Sequence, residues 1–152
     1  MTSFLVKEIK PKDCYSIRHE VLWQHKSFDD CGIDIDDQAG AIHLGAYKGD
    51  KLICVASFFK QSQAKFSEKN QYRLRAMATL SSAQNTGAAR TLLNTAFQIL
   101  KAKGQDLLWC DARIIATGFY EKLGFEKLGD SYSIPIIGCL LYTSPSPRDL
   151  WI

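Results

Sequence analysis

Hydrophobic and polar residues follow two different periods along the chain, and the changes between them predict an order of strands and helices. Short apolar or alternating stretches predict strands at residues 3–9, 41–47, 52–59, 71–80, 107–110, from 125 onward and at 134–141. Apolar residues at helical spacing predict helices over residues 12–23, from 89 to near 104, and over 114–123. Gly49 and Asp50 separate the second and third strands and predict an antiparallel hairpin.

Residues 71–104 carry the clearest pattern. One face of the expected strand is formed by Leu74, Ala76, Ala78 and Leu80, and the other by Arg73, Arg75, Met77 and Thr79. The small residues of the first face let a helix lie close to the strand. The next helix presents one apolar face and is expected to end near Gly104 in the C′ position. Together these elements predict a mixed α/β domain without an internal repeat, linker or second domain.

Residues 29–37 contain five aspartates without a regular apolar period. The stretch is too polar to be core, so we expect a loop or a short extra helix.

Length and composition narrow the class of protein. The 152 residues fit one domain, and 46% hydrophobic with 23% charged residues is an ordinary globular balance. A formal charge of +3 is too small to favour nucleic-acid binding. No apolar run approaches the roughly 20 residues of a membrane span, and residues 1–13 lack the apolar core of a secretory signal. We therefore expect a cytoplasmic protein with no membrane or nucleic-acid partner.

The cysteines do not form a recognisable framework. There are five, an odd number, at wide spacings and without a C-x-x-C pair: Cys14, Cys31, Cys54, Cys110 and Cys139. Disulfide scaffolds and zinc sites need closer, paired spacing. We interpret the five as reduced, mostly buried side chains, and we expect no metal site.

The segment from Thr79 to Arg90 is the strongest candidate for chemistry. A strand leads through a short polar loop into a helix whose start is small, with Gly87, Ala88 and Ala89. The first N–H groups of a helix have no internal partner and carry partial positive charge, so this arrangement suits a pyrophosphate. From the residues alone, close packing of the helix start is the competing explanation. The segment is neither a Walker loop nor a G-x-G-x-x-G motif.

Three motifs in order resemble those of the GCN5-related N-acetyltransferases. Gln84-x-x-Gly87-x-Ala89 after the strand is similar to the family's motif of Arg or Gln, two residues, Gly, one residue, Gly or Ala. Residues 109–113 (WCDAR) resemble the end of the family's fifth strand, and residues 119–125 (FYEKLGF) its Tyr-x-x-x-Gly-Phe signature. The resemblance covers roughly Phe4 to Gly138. It implies a mostly antiparallel central sheet of six to seven strands flanked by helices, an α/β (α+β) acyl-CoA N-acyltransferase fold.

The resemblance implies a direct transfer of an acetyl group from acetyl-CoA to an amine, without an acyl-enzyme. The fourth and fifth strands would part and admit the pantetheine arm. Its amides would pair with the backbone around Met77, Ala78 and Thr79, where an N–H would also polarise the thioester carbonyl. The pyrophosphate would lie on the N–H groups of residues 84–90, that is Gln84, Asn85, Thr86, Gly87, Ala88, Ala89 and Arg90.

Two further positions match the family's functional residues. Tyr120 stands where a tyrosine commonly donates a proton to the leaving thiolate; packing on the sheet is the alternative for this side chain. Asp111 stands where relatives often carry a cofactor-contacting Asn, and an ionised carboxylate can accept but not donate a hydrogen bond.

Some residues depart from the family pattern. Ala76 replaces a frequent Gly, and Asn85-Thr86 replaces a basic residue followed by Gly, which reduces the favourable contacts to phosphates. Arg90 is either a source of compensating positive charge or a solvated surface residue. These departures keep a second hypothesis open: a catalytically degenerate module that binds acyl-CoA or only another protein.

The acceptor amine and its base are not identified by the sequence. His43, Glu20 or an aspartate of the acidic loop could take the amine's proton, but a structural role for His43 and solvation for Glu20 are the simpler explanations. Asp34, Asp36 and Asp37 could attract a cationic amine or simply be solvated, whereas Arg73 and Arg75 would suit an acidic substrate. We expect a small-molecule or peptide amine, and a homodimer is compatible with the pattern.

The C-terminal residues 143–152 do not look native to the domain. The Ser-Pro-Ser-Pro run at 144–147 cannot continue a central strand, because proline donates no ladder hydrogen bond. The stretch resembles translated adapter or vector sequence, so we expect the domain to span residues 1–142 with a last strand only partly filled by residues 139–142.

Overall fold

The computed structural model describes residues 3–133 and 137–143, with the backbone alone described for 113–115, 129–133 and 137–140. These residues form seven strands, each close to its predicted position: β1 Leu5–Glu8, β2 Ile42–Lys48, β3 Lys51–Phe59, β4 Gln71–Thr79, β5 Leu107–Arg113, β6 Glu126–Ser133 and β7 Ile137–Thr143. They hydrogen-bond in the order β1-β2-β3-β4-β5-β7-β6. The predicted seven-stranded mixed sheet is confirmed, and so is the β2–β3 hairpin, whose register ends with Lys48 opposite Lys51.

The strand pairs are mostly antiparallel. β1 with β2, β2 with β3, β5 with β7 and β6 with β7 are antiparallel, whereas β4 and β5 are parallel. The β4–β5 ladder joins Gln71 to Leu107 at one end and Arg73 to Trp109 at the other.

The predicted first helix is present, but its hydrogen bonding changes along its length. A 3-10 turn at Pro11–Cys14 leads into the α-helix α1, Tyr15–Ile17, and then into a π-type turn at Arg18–Leu22. The N–H of Trp23 donates to the Arg18 carbonyl over 2.9 Å, which is the i to i+5 bond of a π-turn. We call residues 11–22 the first helical segment.

Two longer helices end as their sequences predict. Helix α2, Ala88–Ala102, is followed by Gly104 at φ +72°, and helix α3, Ile114–Lys122, by Gly124 at φ +97°. After each helix, the N–H of the third residue beyond the helix donates to a carbonyl of the last turn: Gln105 to Leu100 and Phe125 to Tyr120. These are Schellman motifs, which need a left-handed residue that glycine adopts without strain.

The chain divides into two compact units. The first comprises Met1–Lys60 and Leu74–Ala96, and the second comprises Gln61–Arg73 and Phe97–Ile152. The first unit buries most apolar residues of β2 and β3 together with Leu92 and Leu93 of α2. In the second unit Leu107 and Trp109 form a buried cluster against Phe66, Leu128 and Tyr142.

Three expectations need comment. The acidic stretch does contribute to the core, because Cys31, Ile33 and Asp36 are buried, and it contains a short 3-10 turn at Phe28–Asp30. β7 pairs with β5 over residues 138–143, which include the residues 139–142 expected in the last strand. Thr143 is buried and belongs to this strand, one residue past the expected boundary, and residues 144–152 lie outside the described residues.

The thiols of Cys14, Cys31, Cys54 and Cys110 are free and buried, as predicted, and the side chain of Cys139 lies outside the described residues. Burial raises the pKa of Cys14 to about 11 and that of Cys54 to about 11. Among the described residues no helix is both long and apolar enough to cross a bilayer.

Candidate active site

The loop between β4 and α2 has a fixed, unusual backbone. Its start is tied to β3 because the Leu80 N–H donates to the Ile53 carbonyl over 2.9 Å. A 3-10 turn at Ser81–Ala83 follows, and the Thr86 hydroxyl donates to the Ala83 carbonyl. Asn85 at φ +62° and Gly87 at φ +91° then turn the chain into the helix. We call residues 84–90 the cradle.

The cradle combines an exposed turn with a helix start. The Gly87 carbonyl accepts the N–H of Thr91 at 3.0 Å and its hydroxyl at 2.9 Å, so Gly87 caps α2. The N–H groups of a first helical turn have no intrahelical partner and lie at the positive end of the helix dipole. A Cβ placed on Gly87 would meet no atom within 4 Å, so there is room for a ligand against this turn.

The predicted cradle residues divide between the surface and the core. Gln84, Asn85, Thr86, Gly87 and Arg90 are exposed, Ala89 is half-buried and Ala88 is buried. The sequence left open whether the small residues serve packing or ligand binding. Packing explains the small side chain at Ala88. The exposed turn at residues 84–87, which includes Gly87, remains accessible to an anion.

The C-terminal part of β4 is irregular where the pantetheine arm is expected. Ala76 has φ +54°, a left-handed conformation within a strand. Such a residue is typical of a β-bulge, which changes the direction of neighbouring backbone groups. Met77 and Thr79 are half-buried and Ala78 is buried. The Thr79 hydroxyl donates to the Cys54 sulfur at 3.2 Å.

Tyr120 lies in α3 and is half-buried. Its ring makes edge contacts with Phe119 and Phe125, with centroids 5.1 and 5.5 Å away. The Schellman bond from the Phe125 N–H to the Tyr120 carbonyl fixes the end of the helix at this residue. The position therefore combines aromatic packing with a partly accessible side chain.

Asp111 is held by an ion pair that the sequence analysis missed. Arg73 Nη2 donates to its carboxylate at 3.0 Å, and the guanidinium lies 4.9 Å from the centre of the Trp109 ring. Arg73 Nη1 also donates to Gln61 Oε1 at 3.5 Å. Both charged side chains are about one quarter exposed. The pair offsets the negative charge of Asp111. Arg73, which the sequence analysis considered for binding an acidic substrate, is already engaged in this pair.

A buried polar network in the first unit contains two of the acceptor-side candidates, His43 and Asp36. Arg18 makes a bidentate ion pair with Asp36 at 2.8 and 3.0 Å, and its Nη2 donates to Ser57 Oγ at 2.9 Å. His43 Nε2 lies 2.9 Å from the Asp36 carbonyl oxygen, and His43 Nδ1 lies 2.7 Å from Ser57 Oγ. All four side chains are buried.

The network assigns the proton on His43. A carbonyl oxygen can only accept, so Nε2 carries a hydrogen and donates it to the Asp36 carbonyl, while Nδ1 is hydrogen-bonded with Ser57 Oγ. Both ring nitrogens are thereby used, which supports a structural role for His43 rather than that of a base.

The sequence analysis gave solvation as one alternative for Asp36, but the structure shows that this residue is not a solvated loop residue. Burial alone would raise the pKa of Asp36, but hydrogen bonds from Arg18 and from the Ile33 N–H, together with the guanidinium charge, lower it below its ordinary value. Asp34, Asp37 and Glu20 are exposed. Of the acidic candidates, these three remain accessible to a cationic amine.

Comparisons with known proteins agree with this architecture. A model of the Acetyltransferase (GNAT) family matches residues 9–125. The uncharacterized N-acetyltransferase YitI of Bacillus subtilis (strain 168) is 41% identical over 133 residues, covering 88% of this chain and 89% of that protein.

Two solved structures are similar in fold. An aminoglycoside 6'-N-acetyltransferase complexed with coenzyme A matches with a TM-score of 0.76 and 14% identity, over 95% of this chain and 98% of that one. An acyl-CoA N-acyltransferase from Pseudomonas aeruginosa matches with a TM-score of 0.66 and 17% identity, over 93% and 99%. Because the family model spans more than half of the chain and YitI is similar over most of it, the chain belongs to the Acetyltransferase (GNAT) family.

Proposed function

We propose that the protein transfers an acetyl group from acetyl-CoA to the amine of a small molecule or peptide. The observation that carries this proposal is the cradle: an exposed turn with the spacing Gln84-x-x-Gly87-x-Ala89, opening a 15-residue helix with free space at Gly87. Backbone N–H groups at a helix start suit a pyrophosphate. Family membership and the similarity to YitI support the reaction class.

The chain's own groups have three tasks in this reaction. Acetyl-CoA supplies a thioester whose carbonyl carbon the amine attacks. Residues 84–90 hold the phosphates, and the backbone of Met77, Ala78 and Thr79 orients the pantetheine arm. An N–H of this strand stabilises the negative charge that develops on the carbonyl oxygen. Much of the rate enhancement then comes from positioning two bound reactants.

Tyr120 is the proposed proton donor. When the bond from carbonyl carbon to sulfur breaks, the electron pair leaves on sulfur, and a phenolic hydroxyl can protonate that thiolate. The support is the match of residues 120–125 to the family motif and the partial exposure of the Tyr120 side chain. Asp111, paired with Arg73, is proposed to accept a hydrogen bond from an amide of the cofactor.

We also propose a cytoplasmic location. Its support is the free, buried state of Cys14, Cys31, Cys54 and Cys110, since reduced thiols are usual in reducing compartments.

Release of the CoA thiol in the presence of acetyl-CoA and a panel of amines tests the reaction. At least one amine should give release above the hydrolytic background. Binding of acetyl-CoA without release on any amine would contradict the enzymatic proposal and favour a degenerate binding module.

Tyr120→Phe tests the proton donor in the same assay. The variant keeps the ring contacts with Phe119 and Phe125 but loses the hydroxyl, so kcat should fall about 100-fold while acetyl-CoA affinity stays the same. Phe119→Leu is the matched control, because it changes the same aromatic cluster without removing a hydroxyl. Unchanged turnover in Tyr120→Phe would exclude Tyr120 from proton transfer.

A further inference from the structure

A cavity with two lysines at its rim adjoins the loop that carries the cradle. Within the first unit, a cavity of about 250 Å³ opens between the β2–β3 turn, the segment before β1 and the β4–α2 loop. Its lining includes Phe4, Ile53, Lys48, Lys51, Ser82 and Thr86. Ser82 and Thr86 belong to the β4–α2 loop, and Thr86 is itself a cradle residue. One loop therefore forms a wall of both features.

Two lysines at the cavity bring like charges close together. Lys48 and Lys51 are directly opposite each other in the hairpin register, where like charges destabilise a strand pair. Both are exposed, and within the described part of the chain neither ammonium group has an ion-pair or hydrogen-bond partner. Asp50 lies in the turn between them but does not line the cavity.

We infer that this cavity binds the 3′-phosphate of CoA, with Lys48 and Lys51 as its cationic contacts; the inference rests on the proposed function. CoA carries its pyrophosphate and its 3′-phosphate monoester on the same ribose. A pyrophosphate held by the cradle thus places the monoester close to the same loop. The monoester is a compact acceptor carrying more than one negative charge, which suits two ammonium groups and the exposed hydroxyl of Ser82.

The site adds positive charge beside an exposed turn that carries none at residues 84–87. Asn85-Thr86 supplies no charge there. Lys48 and Lys51 supply two positive charges from the neighbouring hairpin instead.

Calorimetric titration with CoA and with dephospho-CoA, which lacks only the 3′-phosphate, tests the inference. The unaltered protein should bind CoA about tenfold more tightly than dephospho-CoA. The double variant Lys48→Ala/Lys51→Ala should bind both compounds with the same Kd, equal to that of the unaltered protein for dephospho-CoA. The unchanged Kd for dephospho-CoA also shows that the variant is folded.

The control is Lys12→Ala/Lys103→Ala, which removes the same two charges from exposed positions outside the cavity. It should keep the tenfold preference for CoA. No preference in the unaltered protein, a preference retained by the cavity variant, or a weaker Kd for dephospho-CoA in that variant would each overturn the inference. In those cases CoA still binds, so the proposed function stands, whereas failure to bind CoA at all would remove both.

Discussion

Two residues near the candidate site hold the left-handed backbone conformation although neither is glycine. Asn85, at φ +62°, adopts it at modest cost because its short polar side chain can hydrogen-bond locally. Ala76, at φ +54°, has no such compensation, and the conformation costs roughly 1–2 kcal/mol for a residue with a Cβ. Glycine would adopt the same backbone conformation without this cost.

Ala76→Gly should therefore stabilise the protein by about 0.5–1 kcal/mol, because the relief of strain exceeds the entropy lost by glycine. Urea unfolding followed by circular dichroism measures the change. Ala78→Gly is the control in the same strand, at a buried residue without a positive φ. It should destabilise by about 0.5–1 kcal/mol. Equal destabilisation by both substitutions would show that Ala76 is not strained.

At the scale of elements, a buried ion pair joins the first helical segment to the acidic loop. Arg18 on the segment and Asp36 in the loop are 18 residues apart, and Ser57 on β3 links the guanidinium to His43 on β2. Arg18 also donates to the Cys31 carbonyl at 3.0 Å, while its Nε has no partner within the described residues. The network holds the buried Asp36 and its neighbours against the sheet.

Asp36→Asn should lower the free energy of unfolding at pH 7 by about 3 kcal/mol, because it leaves a buried guanidinium without its counter-charge. The pKa of Asp36 in the folded state lies below its ordinary value of 3.8. The contribution of ionised Asp36 to the free energy of unfolding is therefore fully present above about pH 3.8. It is lost as the pH falls through the pKa that Asp36 has in the folded state. Urea midpoints measured from pH 7 downward should show this loss in the unaltered protein and not in the variant.

Asp34→Asn, at an exposed position three residues from Cys31 in the same loop, is the control. It should change the free energy of unfolding by less than about 0.5 kcal/mol. If Asp36→Asn behaved like this control, the ion pair would contribute nothing to stability.

The elements could be predicted from the sequence because hydrophobic period and turn residues are local signals. Gly104 marked the end of a helix, and Gly49-Asp50 marked the hairpin. The partners of polar side chains could not be predicted, since they depend on which elements pack together. Asp36 was therefore expected on the surface, and the pairing of Asp111 with Arg73 was missed. The cradle residues were predicted from the spacing of a motif. Such spacing indicates the chemistry of a site but not the strain in its backbone.

At the scale of the whole molecule, the described strands form one sheet, and its last described strand ends at Thr143. β7 pairs with β5 through residues 138–143 and with β6, and these pairs involve no residue beyond Thr143. The proline-containing run beyond it cannot extend a central strand.

A chain ending at Thr143 should unfold with the same free energy as the full chain, within about 0.5 kcal/mol. Thermal and urea unfolding measure this. A second truncation after Leu140 serves as the control, because it removes the buried Leu141 and Thr143 and should destabilise by several kcal/mol. Loss of stability in the first truncation would show that residues 144–152 contribute to the fold.

Calorimetric titration of acetyl-CoA into the unaltered protein and into Gly87→Ala tests the cradle most directly. Gly87 has φ +91° and open space around it, so a Cβ strains the turn and enters the room left for the phosphates. Gly118→Ala, in α3, makes the same chemical change, also with open space and without a positive φ. We predict one site per chain, affinity at least tenfold weaker in Gly87→Ala, and unchanged affinity in Gly118→Ala. No binding to the unaltered protein, or equal affinity in Gly87→Ala, would contradict a phosphate site at the start of α2.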